Sequence, residues 1–213
     1  MVLSRSMRPE FLALLAAEEL KDVTALDVGC GTGRLALSLA PLCRRVIGID
    51  RDPAAILTAR GHAAALGLSN TDFVVADAEA EEYTRWAPQL VAAYLCMSPA
   101  IIARASRALG PGEVLAFVCF HTDQWRETGM VSRFAFDEAQ LRDLLVRHGF
   151  AVEHLEVERE VRQFGSREEA LAHVTGFRAK WEADGRWERY VEFLERGGRT
   201  LTRSHLVVKA RRR

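Results

Sequence analysis

The chain has 213 residues, 49% hydrophobic and 27% charged, with Lys plus Arg and Asp plus Glu equal at 29 each. That length suits one large core rather than two full domains, and no apolar run approaches the ~20 residues needed to span a bilayer. A formal charge of zero is not the basic surplus with which proteins grip nucleic acid, and the one concentrated run, Arg211-Arg212-Arg213, reads as a solvated terminus.

Met1 to Arg8 holds neither a long apolar stretch nor a small-residue cleavage pattern, so no secretory signal is expected. The cysteines Cys30, Cys43, Cys96 and Cys119 form no C-x-x-C pair, and the histidines show no metal-ligand spacing. No metal site and a reduced, cytoplasmic setting are the expectations.

Phe11, Leu14 and Leu15 give Arg8 to Leu20 one apolar side, which predicts an amphipathic helix. Ala25 to Val28 predicts a buried strand, and Leu35 to Ala40 the helix after it. Arg45 to Ile49 is a second strand, ending at Asp50. Asp52-Pro53 opens a helix to about Leu66, because Asp accepts from free helix N–H groups and Pro has none to lose there. Thr71 to Val75 is a third strand, ending at Ala76-Asp77-Ala78. The acidic segment Glu79 to Glu82 leads to a fourth strand over Leu90 to Leu95. Ser98-Pro99 caps a helix to about Leu109, Gly110-Pro111-Gly112 turns, and Val114 to Phe120 is a long central strand. Asp137 with Gln140 resembles a capping box for a helix carrying Leu141, Leu144 and Leu145, and Ala151 to Val161 alternates as a strand.

Strands alternating with helices predict a parallel sheet covered on both faces. The C-terminal part breaks that rhythm. Ser166 with Glu169 forms another capping box, and Ala170, Val174, Phe177 and Trp181 make a helical stripe. Trp187, Tyr190, Val191 and Leu194 make a second, Gly197-Gly198 ends it, and Ser204 to Ala210 closes the chain as a strand. The expectation is a single domain over 1–213 with a helical insertion over 162–202.

The chemistry gathers at Leu26-Asp27-Val28-Gly29-Cys30-Gly31-Thr32-Gly33-Arg34. Glycines there permit a sharp turn at positive φ and close approach to a ligand, and the following helix start offers unpaired N–H groups. The dinucleotide fingerprint needs a third glycine where this chain has Arg34. Gly29-x-Gly31-x-Gly33 instead resembles the glycine-rich loop of class I S-adenosylmethionine-dependent methyltransferases. Asp50 lies at the carboxyl end of a strand, where open α/β sheets bind ligands. It suits either two ribose hydroxyls or the cap of the next helix. Asp77 suits either an adenine amine or the cap for residues from Glu79. Asp27 sits in a buried run and needs partners to offset desolvation, for which the methionine amino group is one candidate.

With Val46 to Asp50, Val74 to Ala78 and the Leu109-Gly110-Pro111-Gly112 turn in order, the resemblance to this family extends over roughly Arg8 to Phe150 and returns at the last strand. It implies a Rossmann-like, doubly wound α/β sheet of seven strands, mostly parallel with the last antiparallel. It implies S-adenosylmethionine as cofactor and S-adenosylhomocysteine as product. Asp27, Gly29, Cys30, Gly31 and Gly33 would surround the methionine part, Asp50 would take the ribose, and Arg51 would flank the adenine. Asp77 with Ala78 would read the adenine edge, and Leu95 would complete the cofactor shell.

Two departures stand out. Gln89 occupies the place of an acid common before the fourth strand. Leu95-Cys96-Met97-Ser98-Pro99 lacks the N/D-P-P-Y/F signature of amino methylation of DNA bases or glutamine. His121, past the fifth strand, is either a general base or a loop histidine with local hydrogen bonds. Tyr94 and Cys96 either line the methyl-transfer end or pack in the core. The helical insertion either roofs the cleft and selects the acceptor or only faces the core. The expected function is methyl transfer to a small-molecule acceptor by a monomer or homodimer, with no nucleic acid or membrane partner. The alternatives are a cofactor-binding regulatory or scaffold protein without turnover, and an RNA methyltransferase.

Overall fold

The computed structural model describes residues 7–213, so most of the Met1 to Arg8 leader expectation falls outside the described residues. Helix α1 (Pro9–Ala16) precedes β1 (Thr24–Val28), α2 (Arg34–Leu39), β2 (Arg45–Asp50), α3 (Pro53–Ala65) and β3 (Thr71–Val75). A short 3-10 turn, Tyr83–Trp86, leads to β4 (Leu90–Tyr94), α4 (Pro99–Ala108) and β5 (Val114–His121). Then come β6 (Ala135–Phe136), α5 (Glu138–Arg147) and β7 (Phe150–Gln163). Helices α6 (Arg167–Val174), α7 (Arg178–Asp184) and α8 (Arg186–Glu195) separate β7 from β8 (Thr200–Arg212).

The strand order is β3-β2-β1-β4-β5-β8-β7. Neighbours from β3 to β5 are parallel, and β8 is antiparallel to both β5 and β7. The Rossmann-like sheet with a reversed last strand is therefore present, and β6 adds an unforeseen two-residue pairing on β5. Strand order reverses between β1 and β4, which opens a crevice at the carboxyl edge.

The two faces follow from the period of two along each strand. Leu26 and Val28 of β1 join Ile101, Ile102, Leu141 and Leu145 in one core, beneath α4 and α5. Ala25 points the other way, to Phe11, Leu15, Leu35, Leu39 and Ile56. Asp27 shares Ala25's side, so its carboxylate reaches Ala36 at the start of α2.

All four predicted caps form. Asp52 accepts from Ala54 N at 2.9 Å, Ser98 from Ile101 N at 3.4 Å, Asp137 from Gln140 N at 2.8 Å and Ser166 from Glu169 N at 3.1 Å. Glu169 reaches back to Gly165 N at 2.8 Å.

Three elements differ in extent from expectation. Helix α1 stops at Ala16, and Glu18, predicted to be helical, instead turns its carboxylate to Lys209 and Arg211. Strands β7 and β8 run longer than predicted, pairing out to Gln163↔Thr200 beyond the end of β5. Residues 162–163 and 200–202 of the expected insertion are therefore strand, and its helices occupy only Arg167–Glu195.

The protruding end of β8 is satisfied by the loop after β5. Trp125 N donates to Thr202 O at 2.9 Å, and the Glu127 carboxylate accepts from Thr202 N at 3.0 Å and its hydroxyl at 2.6 Å. The insertion has its own small core, in which Trp181 and Tyr190 are fully buried against Trp125, Phe164 and Leu201. The two aromatic stripes thus face inward to that core.

Candidate active site

A cavity of about 270 Å³ opens at the carboxyl edge of the sheet. Each strand end at the crevice contributes to its wall: Gly29 after β1, Asp50 and Arg51 at β2, Asp77 to Glu79 after β3, and Tyr94 to Ser98 at β4. Ile101 of α4 adds an apolar patch, and Arg133 with Phe134, from the segment leading into β6, completes the lining.

The glycine loop meets its steric demands in different ways. Gly29 has φ +68° and packs so tightly that a built Cβ would lie 2.2 Å from Cys96 Sγ. Gly31, at φ +53°, has nothing within 4 Å of such a Cβ, so the loop leaves open space there. Asp50 is held by the loop itself: Gly31 N donates to Oδ2 at 2.8 Å and Asp52 N to Oδ1 at 3.0 Å. The helix-capping task is taken by Asp52. Asp77 accepts from Glu79 N at 2.9 Å while lining the cavity, so its capping and ligand-facing positions coincide.

Asp27 is 1% exposed and accepts from Ala36 N at 2.9 Å. Burial first, then the nearby charge of Asp50, pushes its carboxyl up to about 7 against the opposing effect of the Ala36 N–H. Its folded value thus lies above the unfolded one, and the folded state holds the extra proton between the two. Stability from this group is therefore expected to fall as pH rises from about 4 to 7. Denaturant titrations across that window should show Asp27→Asn flattening the fall; an unchanged slope would mean that Asp27 titrates normally.

Gly29, Asp50, Arg51, Asp77, Ala78 and Leu95 line the cavity, as do Tyr94 and Cys96. Asp27, Cys30, Gly31 and Gly33 do not line it; Asp27, Cys30 and Gly33 are buried, and Gly31 is half-buried with open space beside it. Leu95 takes φ +62°, a left-handed conformation uncommon for leucine, and donates its N–H to Val118 O at 2.7 Å. Several wall residues gave no sequence signal, notably Met97, Ile101, Arg133 and Phe134. Tyr83 gave none either; it is fully buried and donates its hydroxyl to Ala78 O at 2.6 Å, which braces the turn after β3.

His121 is absent from the cavity wall. It is 5% exposed, and Asp123 N donates to its Nδ1 at 3.1 Å. Ser204 Oγ lies 3.0 Å from the same nitrogen and Glu138 Oε2 3.1 Å from Nε2. Both ring nitrogens thus serve the joint between β5, α5 and β8.

Gln89 sits at the amino end of β4, across the sheet from the cavity. Its Oε1 accepts from Thr24 N at 2.8 Å and its Nε2 donates to Ala87 O at 2.9 Å. Gln89→Ala is expected to cost roughly 1–3 kcal/mol by leaving the buried Thr24 N–H unpaired. Cofactor affinity should stay within about twofold; a large loss on calorimetric titration would place Gln89 in the site after all.

Among the described residues, no group of His, Cys, Asp and Glu is placed to hold a metal, and no helix is long and apolar enough to cross a membrane.

The sequence is 41% identical over 70 residues to the 2-heptyl-1-hydroxyquinolin-4(1H)-one methyltransferase of Mycobacteroides abscessus, covering 33% of this chain and 30% of that protein. It is 37% identical over 75 residues to a 23S rRNA (uracil(1939)-C(5))-methyltransferase of Marinomonas posidonica, covering 35% of this chain and 17% of that one. The matches therefore span less than a third of either relative, and these relatives include both small-molecule and RNA enzymes. The fold is similar to that of an S-adenosylmethionine-dependent methyltransferase from Mesorhizobium loti, with a TM-score of 0.63 at 19% identity over 96% of each chain. A family model described as a methyltransferase domain matches residues 19–163. A match over that much of the sequence, on a sheet of this order, establishes that the chain belongs to the methyltransferase domain family, of the class I, S-adenosylmethionine-dependent type.

Proposed function

We propose that the chain transfers a methyl group from S-adenosylmethionine to a small-molecule acceptor without a metal. One observation carries the reading: the carboxylates ending β2 and following β3 share a single cavity with the glycine loop. Asp50 suits the ribose hydroxyls, and Asp77 suits the adenine amine. Ala78, Met97 and Ile101 supply apolar surface for a ring, and the space beside Gly31 admits close backbone approach. Asp27 suits the methionine amino group, whose positive charge would favour the ionised carboxylate over the proton it holds when buried.

When bound, the cofactor supplies a methyl group on a positively charged sulfur, open to in-line displacement. The chain's contribution is to position the acceptor and exclude water. Burial pushes the Cys96 thiol up to about 11, so it stays neutral at physiological pH. With His121 engaged elsewhere, we include no base from the chain, and an acceptor that must lose a proton gives it to solvent. The helical insertion lines no part of the cavity. Its link to the outer acceptor side is indirect: Trp181 packs edge-on against Trp125, which precedes Arg133 and Phe134 in the same connection.

Purified protein should form S-adenosylhomocysteine when given S-adenosylmethionine and a panel of small hydroxyl, amine and thiol acceptors. Submicromolar RNA binding at physiological salt, surviving removal of Arg211 to Arg213, would favour the RNA reading. Tight cofactor binding with no turnover on either class of acceptor would favour a regulatory or scaffold role.

A further inference from the structure

We propose that Arg133 selects acceptors that carry a carboxylate. The inference rests on the methyl-transfer reading of the cavity and names the acceptor's chemical class.

The cofactor-facing residues come from the ends of β1 to β4. Arg133 and Phe134 come from a different connection, between β5 and β6, and contribute a separate part of the wall. That wall is anchored. Phe134 N donates to Ser132 Oγ at 3.2 Å, Ala135 pairs with Phe120 of β5, and Phe136 is 7% exposed in the core.

The Arg133 guanidinium lies over the Phe134 ring, 4.2 Å from its centroid. Stacking of this kind fixes the plane of the guanidinium and leaves its edge N–H donors for a partner. No such partner is present: three carboxylates, Asp50, Asp77 and Glu79, share the cavity, yet Arg133 forms no ion pair with any described residue. By contrast Arg8, Arg45, Arg104 and Arg159 each lie on an acidic side chain.

A planar fork of donors, over a ring and on an exposed residue that lines a ligand cavity, matches a carboxylate in bidentate geometry. Arg51 also lines the cavity, but it follows Asp50 at the end of β2 on the side read as the cofactor's, and the three acidic groups nearby disfavour a doubly charged phosphate more than a monoanion. The pairing would turn the acceptor's reactive atom toward the strand ends, so Arg133 acts as a specificity-determining residue.

The test is calorimetric titration of S-adenosylhomocysteine-saturated protein with matched carboxylates and carboxamides: salicylate, 4-hydroxybenzoate and indole-3-acetate, each against its amide. At least one carboxylate is expected to bind about tenfold more tightly than its amide. Arg133→Gln should shrink that gap to within about twofold and Arg133→Lys should keep part of it, since lysine retains the charge but not the fork. Affinity of Arg133→Gln for S-adenosylhomocysteine alone should stay within about twofold of the parent. The inference is overturned if no pair favours the carboxylate, if the gap survives Arg133→Gln, or if that variant loses cofactor affinity about tenfold, which would assign the guanidinium to the cofactor. Failure of the parent protein to bind S-adenosylhomocysteine at all would instead remove the methyl-transfer reading, and this inference with it.

Discussion

Asp50→Ala is expected to weaken binding of both S-adenosylmethionine and S-adenosylhomocysteine by roughly 2–4 kcal/mol, or about 30- to 700-fold. The first contribution is the loss of a charged acceptor for two ribose hydroxyls. A second comes from the loop, because the same carboxylate receives Gly31 N at 2.8 Å and Asp52 N at 3.0 Å. Without it the turn that carries Gly31 loses its tie to the end of β2. Asp50→Asn separates the two contributions, since its side-chain oxygen can still receive one N–H while the charge is gone. Calorimetric titration of folded variants decides the matter. Unchanged affinity in Asp50→Ala would take this residue out of the site and leave its role as that of a loop brace.

Trp181→Ala is expected to cost roughly 3–5 kcal/mol, paid almost wholly by the helical insertion. Trp181 is fully buried, edge-on to Trp125 at 5.1 Å and to Tyr190 at 5.6 Å, and stacked on Phe177 at 6.0 Å. Its Nε1 has no hydrogen-bond partner among the described residues, so the loss is one of packing and cavity formation rather than of a polar tie. This aromatic core is separate from the cores on the two faces of the sheet. Hydrogen exchange should therefore rise through α6, α7 and α8 while the sheet stays protected. Cofactor affinity should remain within about threefold, because the cavity takes no lining residue from the insertion. Phe177→Leu and Tyr190→Phe are gentler probes of any effect on the acceptor. Cofactor binding that falls in step with activity, in a variant whose sheet stays folded, would overturn this division of labour.

The sequence by itself carried much of what depends on near neighbours along the chain, although it missed the end of α1 at Ala16 and the 3-10 turn Thr175–Phe177 between α6 and α7. The caps at Asp52, Ser98, Asp137 and Ser166 were legible because each bond spans two or three residues. The buried parallel strands were legible as short apolar runs. Asp50 and Asp77 stood out because a carboxylate ending such a run lies at the edge where these sheets bind ligands.

Tertiary structure alone decided the features set by distant partners. Gln89 read only as a departure from an acid common before the fourth strand, and its pairing with Thr24 shows the role it takes at the amino edge of the sheet. His121 read as a possible base, yet Glu138 and Ser204 occupy its ring from elements seventeen and eighty-three residues away. The lengths of β7 and β8 were hidden because each strand satisfies the other beyond the sheet, where alternation gives way to charged residues. Arg133 and Phe134 were silent for the same reason. No periodicity marks a loop residue, and the pairing of β6 with β5 brings them into one cavity with a glycine loop about a hundred residues earlier. Local bonds and apolar runs are written in consecutive residues. The complete lining of the cavity exists only once the sheet has brought distant segments together.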